Sequence, residues 1–225
     1  MLNRFLFITI LFLFFSCGNE KVIQLPEIQN AEITQILDVS PAYIFYDETK
    51  QDSVELNRKN LIISTNWLIN VDKRLTLEQA LPSIIKLQEK KRNATMHKNE
   101  KARNYYTCND TSIKNLGFID FTDVVYLHEN EEGISNSAIN EDNKIIDIMC
   151  FSLDKIKISI DNKTILSDYS QLKKLIQPEI NQEGSYIVLG FKKTLLFQDY
   201  ISLKSIIKTF ETENTEISNN EFIFD

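Results

Sequence analysis

The sequence predicts an α+β fold built from two small β-α-β type units, each a short sheet with helices on one face. Three observations predict it. Trp67-Leu68-Ile69-Asn70-Val71 is an apolar strand core, followed after Asp72-Lys73-Arg74 by a Thr76/Gln79 capping box that opens a helix. Ile156, Ile158 and Ile160 alternate with Lys155, Lys157 and Ser159, the period-two pattern of a half-buried strand. Trp67 to Gln79 also lies naturally over Tyr186 to Gln198: strand, basic pair, apolar patch and a glutamine entering a helix. Either one unit is used twice, or two strand-turn-helix pieces are alike by chance.

The elements follow in order. Tyr43 to Tyr46 reads as a strand, Asp47 to Asp52 as a polar turn, and Val54 to Leu56 and Leu61 to Ile63 as short strands. The first helix carries Leu77, Ala80, Leu81, Ile84 and Ile85 at helical spacing. Pro82 should kink that helix or mark a later start. The polar stretch Lys86 to Arg103 should contain its end, and Ile119 to Tyr126 reads as one strand. The C-terminal third predicts the order β-α-β-α-β, with a turn at Asp161-Asn162-Lys163. Asp168 with Gln171 caps a helix that Pro178 stops, and Tyr186 to Leu189 is a buried strand. Asp199 caps a helix bearing Leu203, Ile206, Ile207 and Phe210, and a last strand runs near Glu221 to Phe224. The expected boundaries are a leader at 1–16, a tether at 17–40, a first unit at 41–128, an acidic linker at 129–143 and a second unit at 144–225.

The leader is read from charge, then grease, then a small residue, then a thiol. Arg4 precedes an apolar run from Phe5 to Phe15 broken only by Thr9, and Ser16-Cys17 closes it. Eleven helical residues rise about 16 Å, half of a ~30 Å hydrocarbon core, so the run suits an export signal rather than a span. Phe14-Phe15-Ser16-Cys17 resembles the bacterial lipobox, which implies cleavage before Cys17 and acylation of its sulfur. Two or three acyl chains anchor far more firmly than one. Gly18 stands where an Asp would resemble an inner-membrane retention signal, so the outer membrane, at its periplasmic face or the cell surface, is the expected location. The start Cys-Gly-Asn-Glu-Lys resembles lipoproteins of the Bacteroidota.

Removing Arg4 with the leader leaves 24 basic against 32 acidic residues, which disfavours nucleic acid as a partner. Cys108 and Cys150 remain as a pair in an oxidising compartment. They suit either a disulfide or two buried small hydrophobes.

From about Leu153 to Asp225, an alternating strand, polar turn, capped helix, apolar strand, Phe191-Lys192-Lys193 turn, amphipathic helix and final strand resemble the periplasmic domain of the ExbD/TolR family. The resemblance implies a similar fold, a tendency to form homodimers, and partners in energised envelope complexes or in peptidoglycan. Asp72 matches the family's turn Asp in the first half, whereas position 191 is Phe. That family keeps its proton-relay Asp in a membrane helix. Phe5 to Phe15 contains no acid, so a motor role does not carry over.

Catalytic signatures are sparse. The five glycines, at 18, 117, 133, 184 and 190, frame neither a phosphate loop nor a nucleophile elbow. His97 and His128 lack zinc spacing to each other or to a cysteine, so no metal and no cofactor are expected. Asp120 and Asp123 beside Phe118, Phe121 and Tyr126 are the acid pair a glycosidase would need, although a strand end near a turn carries such acids equally. Lys86, Lys90, Lys91, Arg92, Lys98, Lys101 and Arg103 form a basic stretch able to meet anionic headgroups or glycan phosphates, or simply a solvated helix end. Trp67, Tyr105 and Tyr106 are candidates for stacking on a sugar, with core packing the alternative for Trp67. The expectation is a lipid-anchored envelope lipoprotein acting as a non-enzymatic binding or scaffolding module for an envelope protein or peptidoglycan. The alternatives are a carboxylate-based envelope hydrolase of glycan or peptide, and an accessory of a TonB- or Tol-type energised complex.

Overall fold

The computed structural model describes residues 21–128, 144–161, 163–180 and 184–225. Six strands form a first mixed sheet: β1 (Glu27–Ile28), β2 (Val39–Tyr46), β3 (Val54–Asn57), β4 (Asn66–Val71), β5 (Asn104–Asp110) and β6 (Asn115–Asp120). Six more form a second: β7 (Val125–His128), β8 (Lys144–Ser152), β9 (Lys155–Ile160), β10 (Lys163–Ser167), β11 (Ser185–Lys192) and β12 (Thr215–Phe224), in the order β10-β9-β8-β11-β12-β7. The helices among the described residues are α1 (Leu77–Arg92), α2 (Tyr169–Ile176) and α3 (Phe197–Lys208).

This corrects the expectation of two small helix-decorated β-α-β units: strand outweighs helix, 42% against 19%, in two six-stranded mixed sheets. The discrepancy has a physical origin. Strands such as β10 (KTILS, mostly exposed) and β6 (NLGFID) are held by their neighbours' backbones rather than by an apolar face, so hydropathy passes over them. The run Ile119 to Tyr126 is not one strand. It breaks at Phe121–Val124, and its two ends pair in different sheets, β6 with β5 and β7 with β12. Leu61 to Ile63 is a turn, in which the Ile62 carbonyl accepts from the Trp67 indole at 2.7 Å.

The two sheets nevertheless share a core plan. A hairpin (β2-β3, β8-β9) is followed by a central strand parallel to the hairpin's first strand (β4, β11), a helix (α1, α3) and a further parallel strand (β5, β12). The halves meet where their helices begin. Leu77 N–H donates to the Leu195 carbonyl at 2.9 Å and Phe197 N–H to the Leu75 carbonyl at 2.7 Å. Glu78 N–H reaches the Lys193 carbonyl at 2.9 Å and Gln198 N–H the Lys73 carbonyl at 3.2 Å. Each bond has its reciprocal 120 positions along the chain, so the overlay of Trp67 on Tyr186 is one residue out: buried Trp67 corresponds to buried Ile187.

These bonds explain the caps. The first N–H groups of a helix have no partner within it. In α1 the Thr76/Gln79 box takes its expected place and Pro82 sits inside a helix that starts at Leu77. Asp199, expected to cap α3, lies in its first turn instead. The N-cap is Leu196, whose side chain makes no capping bond, because carbonyls of the first half take the exposed donors. Asp168 caps α2 as predicted, accepting from Gln171 N–H at 3.1 Å.

From Lys21 onward the segment assigned to a tether runs along the domain. Glu27–Ile28 pairs with β5, and Gln24 and Lys73 are joined through backbone. Ala31 N–H donates to Asp110 at 2.7 Å, and a Cβ on Gly117 would lie 2.5 Å from the Ala31 Cβ, so the close approach requires glycine there. Asp72, fully buried, is the other anchor. Burial opposes its charge, but the Arg74 guanidinium, Arg74 N–H and Gln24 N–H outweigh that and hold its carboxyl below the usual range. The linker expected at 129–143 and the leader lie outside the described residues.

One hydrophobic cluster unites inner faces of both sheets with α1 and α3, including Trp67, Leu77, Tyr106, Ile148, Phe191 and Phe197. Phe197→Ala should therefore cost about 3–5 kcal/mol. In urea melts, fluorescence of Trp67, the chain's single tryptophan and a residue of the other half, should move to the same lower midpoint. An unmoved Trp67 transition would mean that the halves fold independently.

Candidate functional site

Where β6 and the segment before β2 face α3 and β12, the halves leave a groove of about 800 Å³. Ile28, Ile33, Phe118 and Ile119 line one side, and Ile206 and Ile217 the other. The walls are held through main-chain groups: Phe118 N–H donates to the Ile33 carbonyl at 2.9 Å, and the Gln198 side-chain amide clasps the Glu27 backbone, accepting from its N–H at 2.8 Å and donating to its carbonyl at 3.0 Å.

Beneath this groove runs a buried polar chain. Lys204, which lines the groove, forms an ion pair with Glu221, a residue with no solvent exposure. The second oxygen of Glu221 accepts from the Tyr200 hydroxyl at 2.7 Å. Tyr200 is 3.2 Å from the Tyr126 hydroxyl, which is 2.5 Å from that of Tyr106. A phenol has one proton to give. Tyr200 gives its proton to the carboxylate, so Tyr126 must donate to Tyr200 and Tyr106 to Tyr126. Three hydroxyls thus align toward one charge, joining Tyr106 of the first sheet to Tyr126, Tyr200 and Glu221 of the second sheet and its helix. Burial first, with the nearby Glu221 charge adding to it, pushes all three phenols well above their ordinary value. They remain protonated donors, which suits a rigid polar floor and not nucleophilic chemistry.

The residues singled out in the sequence fall elsewhere or take other roles. His97 is exposed in the loop after α1, with a positive φ of 56°, and His128 ends β7; the fold does not bring them together. Asp120 borders the groove, but Arg103 holds both acids, through Nε to Asp120 and through Nη2 to Asp123 at 2.9 Å. Asp120 also accepts from Thr122 N–H at 2.9 Å, as the hinge of the turn between β6 and β7. Trp67 and Tyr106 are wholly buried, while Tyr105 points to the opposite face of β5 and is half-buried. Cys108 on β5 and Cys150 on β8 are free, buried thiols, each pushed up in pKa by that burial. Cys17 lies outside the described residues.

Four of the seven basic residues of the stretch are engaged within the fold, while Lys86, Lys90 and Lys101 are exposed. Arg92 donates to the carbonyls of Thr122 and Val124, Lys98 pairs with Glu100, and Arg103 with the two aspartates. Lys91 is buried, its ammonium 5.1 Å from the Trp67 ring centre and bonded to the Thr65 and Arg103 carbonyls and the Asn104 amide oxygen.

Comparison with family models, curated proteins and solved structures returned no match. The likeness of the C-terminal third to the ExbD/TolR domain therefore rests on sequence pattern alone. Among the described residues no three His, Cys, Asp or Glu side chains cluster as a metal would need, and no helix is long and apolar enough to cross a membrane.

Sequence reasoning missed Lys204, Tyr200 and Tyr126 as a set. Glu221 carried a signal, an acid directly before the apolar run Phe222-Ile223-Phe224, but its partners Tyr200 and Lys204 come from α3, and Tyr126, which continues the chain, from β7.

Burial lowers the Lys91 ammonium from 10.5 to about 8. Between those values the unfolded chain binds more protons than the folded one, so the contribution of Lys91 to stability rises as pH climbs from about 8 to about 10.5. Urea midpoints of the native protein minus those of Lys91→Met should grow across that window. A flat difference would mean that the lysine is not desolvated.

Proposed function

We propose that this chain is a lipid-anchored lipoprotein of the cell envelope, held at the outer membrane through acyl chains on Cys17, whose folded part is a non-enzymatic binding or scaffolding module. The groove between the halves carries this reading. It is concave, mixed in polarity and built on fixed backbone, the ordinary character of a recognition site. The polar groups beneath it are satisfied by one another, which favours holding over turnover. The carboxylate-based hydrolase would need a free acid pair, and Asp120 and Asp123 are both engaged by Arg103. The acidic excess favours protein or glycan over nucleic acid as the partner.

The test uses the full chain in two forms. The native protein should take up radiolabelled palmitate and fractionate with outer membrane, and Cys17→Ser should lose both. The unacylated Cys17→Ser protein should still co-sediment with sacculi and washed envelopes, without releasing soluble glycan or peptide fragments. Ser205→Trp, which fills the groove from α3, should abolish the co-sedimentation. Release of fragments would favour the hydrolase, and unchanged sedimentation of the filled variant would move the site elsewhere.

A further inference from the structure

The groove has an unfinished sheet as one of its walls. β12 runs from Thr215 to Phe224 and β11 accompanies it on one side, but β7 covers its other side only from Asn220 to Ile223. The chain preceding β7 cannot extend that pairing. At Val124 it turns away to the first sheet, where Phe121 N–H is tied to the Asn104 carbonyl at 3.0 Å. No described strand therefore lies beside Thr215–Asn219 on that side.

The direction of the open groups follows from alternation. Ser185 of β11 donates to the Asn214 carbonyl at 2.8 Å, so Asn214 and Glu216 face β11 while Thr215 and Ile217 face outward. Thr215 spends its outward pair on Thr212, in both directions at 3.2 Å. Ile217 is left with an N–H and a C=O directed to the groove side, and its residue borders the groove. Between Ile187 and Leu189 the β11 pairing shifts register, three β12 residues standing opposite one, and a bulge of this kind bends its strand beside a site.

We propose that an extended peptide segment of an envelope protein binds in this groove by strand addition, parallel to β12 and in continuation of β7, with Ile217 as its main-chain mooring. The inference rests on the binding-module reading and names the partner class for the same site. The fold already completes its sheets this way, since β1 adds two residues parallel to β5 and β7 adds four parallel to β12. Beyond Thr215, the four residues Glu216–Asn219 leave an edge of about 13 Å, room for a short strand. Side chains at alternate positions of such a peptide would meet Ile206 and Ile217. Around the groove Glu27, Asp120 and Glu211 are paired with Lys73, Arg103 and Lys208, and Lys204 with Glu221, which leaves the Glu32 charge uncompensated among the described residues, so apolar residues alternating with neutral or basic ones fit best.

A displayed library of random dodecapeptides, selected against the full-length Cys17→Ser protein, supplies the probe. Enriched peptides should alternate apolar with neutral or basic residues and should slow hydrogen exchange of the Ile217 amide. N-methylation at the alternate backbone positions that face β12 should weaken binding about tenfold or more, while methylation at the intervening positions, which face away from it, should not. Ser205→Trp should abolish binding with its urea midpoint retained; if that variant does not fold, the N-methyl series decides. Equal tolerance of N-methylation at both sets of positions, binding to the filled variant, or no enrichment overturns strand addition. Envelope co-sedimentation that persists without peptide binding sinks this inference alone. Loss of groove-dependent co-sedimentation together with absent peptide binding sinks the module reading as well.

Discussion

The fold depends on two helix beginnings that satisfy each other. A helix start presents donors that water, a side chain or another backbone must meet. Here Leu75, Lys73, Leu195 and Lys193 offer their carbonyls across the junction, and each half completes what the other lacks. Neither set of carbonyls comes from the helix's own sheet. Thr76 and Leu196 pair as an isolated antiparallel bridge at the centre, and Phe197 packs edge-on to Tyr106 beside it, at a ring separation of 5.2 Å. Backbone complementarity of this kind fixes the relative placement of the sheets, and that placement produces the groove.

A second constraint is the burial of charge. Glu221 is fully enclosed, and an enclosed carboxylate is tolerated only when paired and hydrogen-bonded. Lys204 and Tyr200 meet that demand from α3, and Tyr126 extends the chain toward Tyr106. Lys91 represents the opposite solution: a buried ammonium answered by neutral oxygens alone, with the Trp67 face beneath it. Hydrogen-bonded groups in a low-dielectric interior favour one arrangement over many close alternatives.

Local chemistry was readable in the sequence where it acts locally. Thr76 with Gln79 and Asp168 with Gln171 announce helix starts, and both helices begin there. The isoleucines of β9 alternate as a sheet demands, and Trp67 to Val71 is the central strand it resembles. What the sequence concealed is non-local. Leu196 needs no capping side chain because the carbonyl of Leu75, far earlier in the chain, serves Phe197 in place of a cap. The apolar continuity of Ile119 to Tyr126 masks a passage between sheets, since burial in either sheet demands the same residue types. The groove was not legible because its walls lie far apart in sequence, as the Glu27–Gln198 clasp illustrates.

The passage from β6 to β7 also governs how the molecule can assemble. A chain emerging from its N-terminus produces Val125–His128 long before Asn220–Ile223, the segment it must join, exists. Until then a short apolar strand stands at the end of the first sheet with nothing to pair with, and long-range pairings of this kind are slow to form. Severing the polypeptide within the Phe121–Val124 turn would leave the second sheet short of a margin and the first without its exit. The second sheet therefore takes its last strand, β7, from the chain that leaves the first, and that strand cannot pair until β12 has been made.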